Sequence, residues 1–171
     1  MAIDEVAIEV PDSSSVDDVV AALAKVDGVA VEDVHSVDVG RLDHSVMGLD
    51  VLTGFVDSGC DLETLARGLG RLLESDWLAV VDRQRAQIVA TIGFVPDPAW
   101  LMAFVAGTEH LDDASSEHTP SDVIWTNLAG TDLSVACERR GRAFRARERE
   151  HVAAIGRLAG VALRVVNPSN R

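Results

Sequence analysis

Cysteine, basic charge and long apolar runs are all scarce in this 171-residue sequence, and each scarcity removes a class of protein. Only Cys60 and Cys137 occur, with no CxxC spacing, so neither a disulfide framework nor a cysteine-based zinc site is indicated and a reducing cytoplasm is the expected setting. Lys25 is the single lysine, and 15 Lys and Arg stand against 28 Asp and Glu, for a formal net charge of −13. Neutralising phosphates requires the opposite balance, so neither nucleic acid nor an anionic membrane surface is expected as a partner. No stretch approaches the roughly 18 consecutive apolar residues that cross a bilayer. Residues 1–10 carry acids where a secretory leader carries positive charge. Arginine in place of lysine suits a high-GC genome.

What is present is ordinary globular material, 47% hydrophobic and 25% charged. Ile3, Val6, Ile8 and Val10 recur at near-alternate spacing and predict a strand over residues 3–10, ended by Pro11. One of Ser13, Ser14 and Ser15 then caps a helix with Asp17 and Asp18 in its first turn, stopping at Asp27 and Gly28. A second strand is predicted over residues 29–37. Two strands and one helix cannot bury enough surface to stand alone, so this opening must complete itself with something else.

Helical spacing follows over residues 42–56, closed by Gly59, and again after Asp61 through Leu62, Leu65, Leu69, Leu72 and Leu73, which predicts a helical hairpin. Residues 77–82 and 87–93 read as a β-hairpin around Arg83, Gln84 and Arg85. Pro96 and Pro98 precede a short apolar stretch, residues 100–105, whose type the pattern leaves open, and residues 107–121 read as an acidic loop or lid. A second hairpin is predicted over residues 122–128 and 132–138, then a basic turn at residues 139–142, then a helix over residues 147–166.

The order from residue 50 to residue 166 resembles a GAF domain, above all in the ending DLSVACERRGRAFRARERE, where a strand enters a charged glycine turn and an acidic and basic helix start. The opening IDEVAIEVPDSSSVDDVVAALAKVDGVAVEDVHSVD resembles the second half of an ACT domain, its third strand, second helix and fourth strand, with the first strand, first helix and second strand missing. Because the effector of ACT domains usually contacts the loop after the missing first strand, that binding function is not carried over. Either a shortened start or a dimer whose partner fills the gap is implied. Together the two parts resemble actinobacterial proteins that pair an ACT region with a GAF-like domain. The implied fold is α+β, a GAF-like antiparallel sheet flanked by helices after a partial ACT-like βαβ unit. Its implied divisions are residues 1–38, a linker and helix start at residues 39–49, a GAF-like domain at residues 50–166, and a tail at residues 167–171.

No sequence constellation equips the chain for catalysis. His35, His44, His110, His118 and His151 show no HExxH spacing, and there is no GxSxG, SxxK, P-loop or GxGxxG. His110 and His118 with Asp112, Asp113 and Glu117 could hold a cation, although a solvated acidic loop is the simpler reading, and no metal or cofactor is expected. Cys60 directly precedes a helix start, a place that can lower a thiol pKa, but a buried structural role explains both cysteines more simply. Some GAF relatives reduce free methionine sulfoxide with several cysteines, a number and spacing that this chain lacks. Arg139, Arg140, Arg142, Arg145, Arg147 and Arg149 could hold an anion, but read more simply as a solvated face paired with acids such as Glu148.

The GAF resemblance places a pocket between the sheet and the middle segment. Trp77, Phe94, Trp100, Met102, Phe104 and Trp125 could line it, with Asn127 and Thr126 as polar groups, although core packing accounts for the same bulk. The expectation is therefore a non-catalytic, cytoplasmic, ligand-sensing homodimer that passes its signal to another protein. The alternatives are a self-associating interaction module without ligand and a cysteine-dependent redox enzyme.

Overall fold

The computed structural model describes residues 8, 10, 14–31, 34, 44–108 and 122–166. The chain divides into two compact units, Met1–Asp43 and His44–Arg171.

In the first unit, α1 (Val16–Leu23) begins where the serines and acids predict. Ser15 Oγ accepts from the backbone N–H of Asp18, and Asp18 returns the contact by accepting from Ser15 N–H, a reciprocal cap on two donors that the helix itself cannot satisfy. None of the α1 side chains is buried. Of the two predicted strands, Ile8, Val10, Val29, Ala30, Val31 and Val34 are described and lie outside any strand, and the other residues lie outside the described set.

The second unit opens with α2 (His44–Asp57) and α3 (Leu62–Leu72). Gly59 and Cys60 both take positive φ, 75° and 65°, and the Cys60 N–H closes on the Phe55 carbonyl at 2.9 Å, which ends α2 and turns the chain. Asp61 then caps α3 by accepting from Thr64 N–H at 2.9 Å, and Leu65, Ala66, Leu69 and Leu72 are buried along one face.

The strands β1 (Trp77–Asp82), β2 (Gln87–Gly93), β3 (Val123–Asn127) and β4 (Leu133–Glu138) form one antiparallel sheet in the order β2-β1-β4-β3. Both predicted hairpins are present. The β1–β2 register slips after Val80, so that Val80 opposes Ala90 while Val81 opposes Ile88. The extra residue, Val89, is a β-bulge, and it lets Ala90 and Ile88 serve opposite faces of the sheet although they are two positions apart.

On one face Leu78, Val80, Ile124, Val135 and Cys137 pack with side chains from α2, α3 and α5 (Ala146–Val166), including Phe55, Leu65, Leu69, Val152, Ile155 and Ala159. The other face, Trp77, Ala79, Val81 and Ala136, takes Leu101 and Val105 of α4 (Pro98–Thr108). Residues 100–105 are therefore helical. The start signal was in the sequence: Asp97 Oδ1 accepts from Ala99 N–H at 2.8 Å, and Pro98 fills the first helical position, where its missing N–H costs nothing.

Candidate functional site

Strand alternation assembles the α4 face of the sheet. Ala79 and Trp125 both pair with Ala136, Asn127 pairs with Ser134, and Trp77 pairs with Glu138. At the centre are two alanines, whose small side chains leave room above the sheet for the bulk around them. Trp77 is 2% exposed, and Trp125, Met102 and Phe104 are half-buried against the same cluster. Four of the seven residues suggested by the sequence thus come together here.

The other three are placed differently. Trp100 remains 47% exposed and stacks on Phe104, ring centroids 5.4 Å apart and 10° from parallel. Phe94 is 89% exposed and outside the cluster. Asn127 shares the face, but its Oδ1 accepts from Ser134 Oγ at 2.6 Å. Thr126 belongs to the opposite face, against Gly156 of α5.

Two polar side chains on this face were not singled out in the sequence. Glu138 accepts from the Trp77 indole Nε1, and Ser134 is fully buried. The period of two in Ser134, Ala136 and Glu138 was the signal that would have placed them beside Trp125 and Asn127. The face is therefore mostly apolar, with two internally paired polar points.

The arginine-rich turn is not the uniformly solvated surface that its composition suggests. Arg139 is 5% exposed and meets both carboxylate oxygens of Glu148, at 2.8 and 3.0 Å. It also donates to the carbonyls of Leu73, Arg142 and Ala143, and lies 4.3 Å from the Phe144 ring centroid. A planar guanidinium with five N–H donors can satisfy several chain ends at once, which ties the end of α3 to the start of α5. Arg149 Nη1 donates to the Val123 carbonyl at 3.0 Å, and burial lowers its pKa. Arg140 and Arg147 are exposed, as a solvated face requires.

Both cysteines are buried. Burial raises the Cys60 thiol, and it pushes Cys137 up to about 12, with Glu148 adding to the rise and Arg139 and Arg149 opposing it. Neither thiol favours the reactive thiolate. His35, His110 and His118, with the acids of the proposed loop site, lie outside the described residues. Among the described residues, no group of three or more His, Cys, Asp and Glu could hold a metal, and no helix is long and apolar enough to cross a membrane. Comparison with protein-family models, with curated protein sequences and with solved structures gives no match.

Proposed function

We propose that this chain is a non-catalytic regulatory protein that binds a small, largely apolar ligand on the α4 face of its sheet, in the manner of a GAF-like pocket. The observation that carries the reading is the gathering of Trp77, Trp125, Met102 and Phe104 around the Ala79–Ala136 pair, with Glu138, held by Trp77, and Asn127, held by Ser134, as the polar groups beside them. Burial of both thiols weighs against the redox alternative. The mechanism is a population shift: a ligand that prefers one seating of α4 on the sheet stabilises that seating, and its differential affinity sets how far the equilibrium moves.

Thermal unfolding followed by tryptophan emission, in the presence of amino acids, nucleotides and small aromatic metabolites, tests it. A ligand at a hundred times its Kd adds about 2.7 kcal/mol to stability, so a saturable rise in Tm for one class is expected, lost in Trp125→Ala. No shift with any class would sink the reading.

A further inference from the structure

The outer faces of α2 and α5 are apolar where a solvated helix would be polar. On α2, Val46, Leu49, Thr53 and Val56 are all exposed and are spaced three, four and three residues apart. On α5, Ala154, Leu158, Val161 and Val165 are spaced four, three and four apart, the first half-buried and the rest exposed. This alternation of three and four is the seam that one helix offers to another when knobs fit into holes. It runs on the side away from the core, since the buried positions of the same helices, among the described residues, are Gly48 and Phe55 on α2 and Val152, Ile155, Gly156, Ala159 and Gly160 on α5. The exposures are large for such residues, 61% at Leu49 and 53% at Leu158. A depression of about 300 Å³ lies along the α2 seam, lined by Leu49, Leu52, Thr53, Val56 and Asp57.

The two seams belong to one surface. A Cβ added at Gly48 would stand 3.2 Å from Ile155 Cδ1, so α2 and α5 lie side by side. With Gly48 set toward α5, about 100° per residue turns Leu49 and Val56 roughly a quarter-turn from that contact, onto the flank of α2. The same geometry puts Leu158 and Val165 on the α2 side of α5, next to Ile155.

The charges beside the seams are of opposite sign. Asp50 and Asp57 each follow a seam residue on α2, whereas Arg157 and Arg164 each precede one on α5, and all four are exposed. In a coiled pair these flanking positions choose the partner. Two α2 helices face to face would set acid against acid, and two α5 helices would set arginine against arginine. Only α2 against α5 satisfies both seams and both charges, and a two-fold axis makes that pairing twice in one contact, each copy supplying the complement of the other.

We propose that a second copy of this chain occupies the surface, in an isologous dimer that sets α2 of each copy against α5 of the other, with Asp50 and Asp57 facing Arg157 and Arg164. The interface lies on the opposite layer of the second unit from the α4 face and does not depend on the ligand reading.

Sedimentation equilibrium on the full chain tests the proposal. A dimer is expected at micromolar protein, and Leu49→Arg and Leu158→Arg are each expected to be monomeric with the circular dichroism of the parent, because both positions are exposed, and with a Tm that does not rise with protein concentration as the dimer's does. Arg164 Nη1 already donates to the Ala129 carbonyl, so Arg157 carries the charge test. Arg157→Glu and Asp57→Arg are each expected to weaken the dimer about tenfold, the equivalent of 1.4 kcal/mol, and the double variant to recover most of that loss. A monomeric parent chain, or a dimer that survives both leucine substitutions, would overturn the proposal. Failure of the double variant to recover would overturn the α2-against-α5 pairing.

Discussion

Arg139 and Glu148 form a two-point ion pair, Nη1 to Oε1 at 2.8 Å and Nη2 to Oε2 at 3.0 Å, between the residue that follows β4 and the first turn of α5. The side chains are 6% and 14% exposed, so water screens the pair little. Glu148 Oε2 also accepts from Arg145 N–H at 2.8 Å, capping the helix it belongs to. Removing one partner of a buried pair strands the other, at a cost of about 3–5 kcal/mol. Arg139→Met is expected to lose that much in urea unfolding, whereas Arg139→Met/Glu148→Met, which removes both charges, is expected to lose less than the sum of the single variants. Additive losses would show that the pair carries no coupling.

The same pair sets an acid limb. Burial raises the Glu148 carboxyl, but the hydrogen bonds from Arg139 and Arg145 N–H and the charges of Arg139 and Arg142 outweigh it and hold the group below its ordinary value of 4.5. A carboxyl whose folded pKa is lowered contributes fully above that ordinary value, and the contribution is lost as pH falls from 4.5 through the folded value. Stability measured by urea midpoint is therefore expected to fall with acid below pH 4.5, and more shallowly in Glu148→Gln. Parallel acid limbs in the two proteins would place the titration elsewhere.

The elements that sequence reasoning reached were those with a strict period and a punctuated end. β1 and β2 were legible because their runs flank a polar turn, and α3 because Asp61 precedes four regularly spaced leucines. The helical state of α4 was left open because nearly every residue from Pro98 to Val105 is apolar, so the segment has no polar face to betray its period. Only the Asp97–Pro98 start distinguished it. The β-bulge at Val89 was illegible for a different reason: a slip of register is decided by which side chains fill both layers, a long-range matter. Arg139 was misread because its neighbours in sequence are solvated arginines, whereas its surroundings come from Leu73, Phe144 and Glu148. The site was legible by composition, since Trp77 and Trp125 were singled out, but the strand pairing that sets Ala136 between Ala79 and Trp125 was not.

Neither thiol is placed to react. Cys60 is 5% exposed behind the α2–α3 turn and Cys137 is fully buried in the sheet. A disulfide-exchange reagent at neutral pH is expected to label neither in the native protein and both in guanidinium, with native labelling limited by opening of the fold. Labelling of Cys60 at the rate of a free thiol would reopen the redox reading. Cys137→Ser is expected to cost about 1–3 kcal/mol, because its hydroxyl would be buried among apolar groups.

Glycines in two helices should respond to a methyl group in opposite directions. α5 passes close to the β3–β4 connection: a Cβ at Gly160 would lie 2.3 Å from the Ala129 carbonyl oxygen and 2.4 Å from its nitrogen, and one at Gly156 would lie 2.8 Å from the Asn127 carbonyl oxygen. These neighbours are backbone, which cannot rotate away as a side chain can. Gly160→Ala must therefore push α5 off the sheet, breaking the contact in which Ala129 N–H donates to the Gly156 carbonyl at 3.2 Å. Overpacking of this kind costs about 1–3 kcal/mol and occasionally more, and Gly160→Ala is expected at the top of that range. Gly54 of α2 has no atom within 4 Å of its added Cβ and takes no positive φ. There, the better helix propensity of alanine acts unopposed, and Gly54→Ala is expected to gain up to about 1 kcal/mol. Urea midpoints of the two variants, measured together, decide the matter. A mild Gly160→Ala would mean that α5 sits farther from the connection than the geometry gives, and a destabilising Gly54→Ala would mean that a neighbour packs closer to Gly54 than the geometry gives.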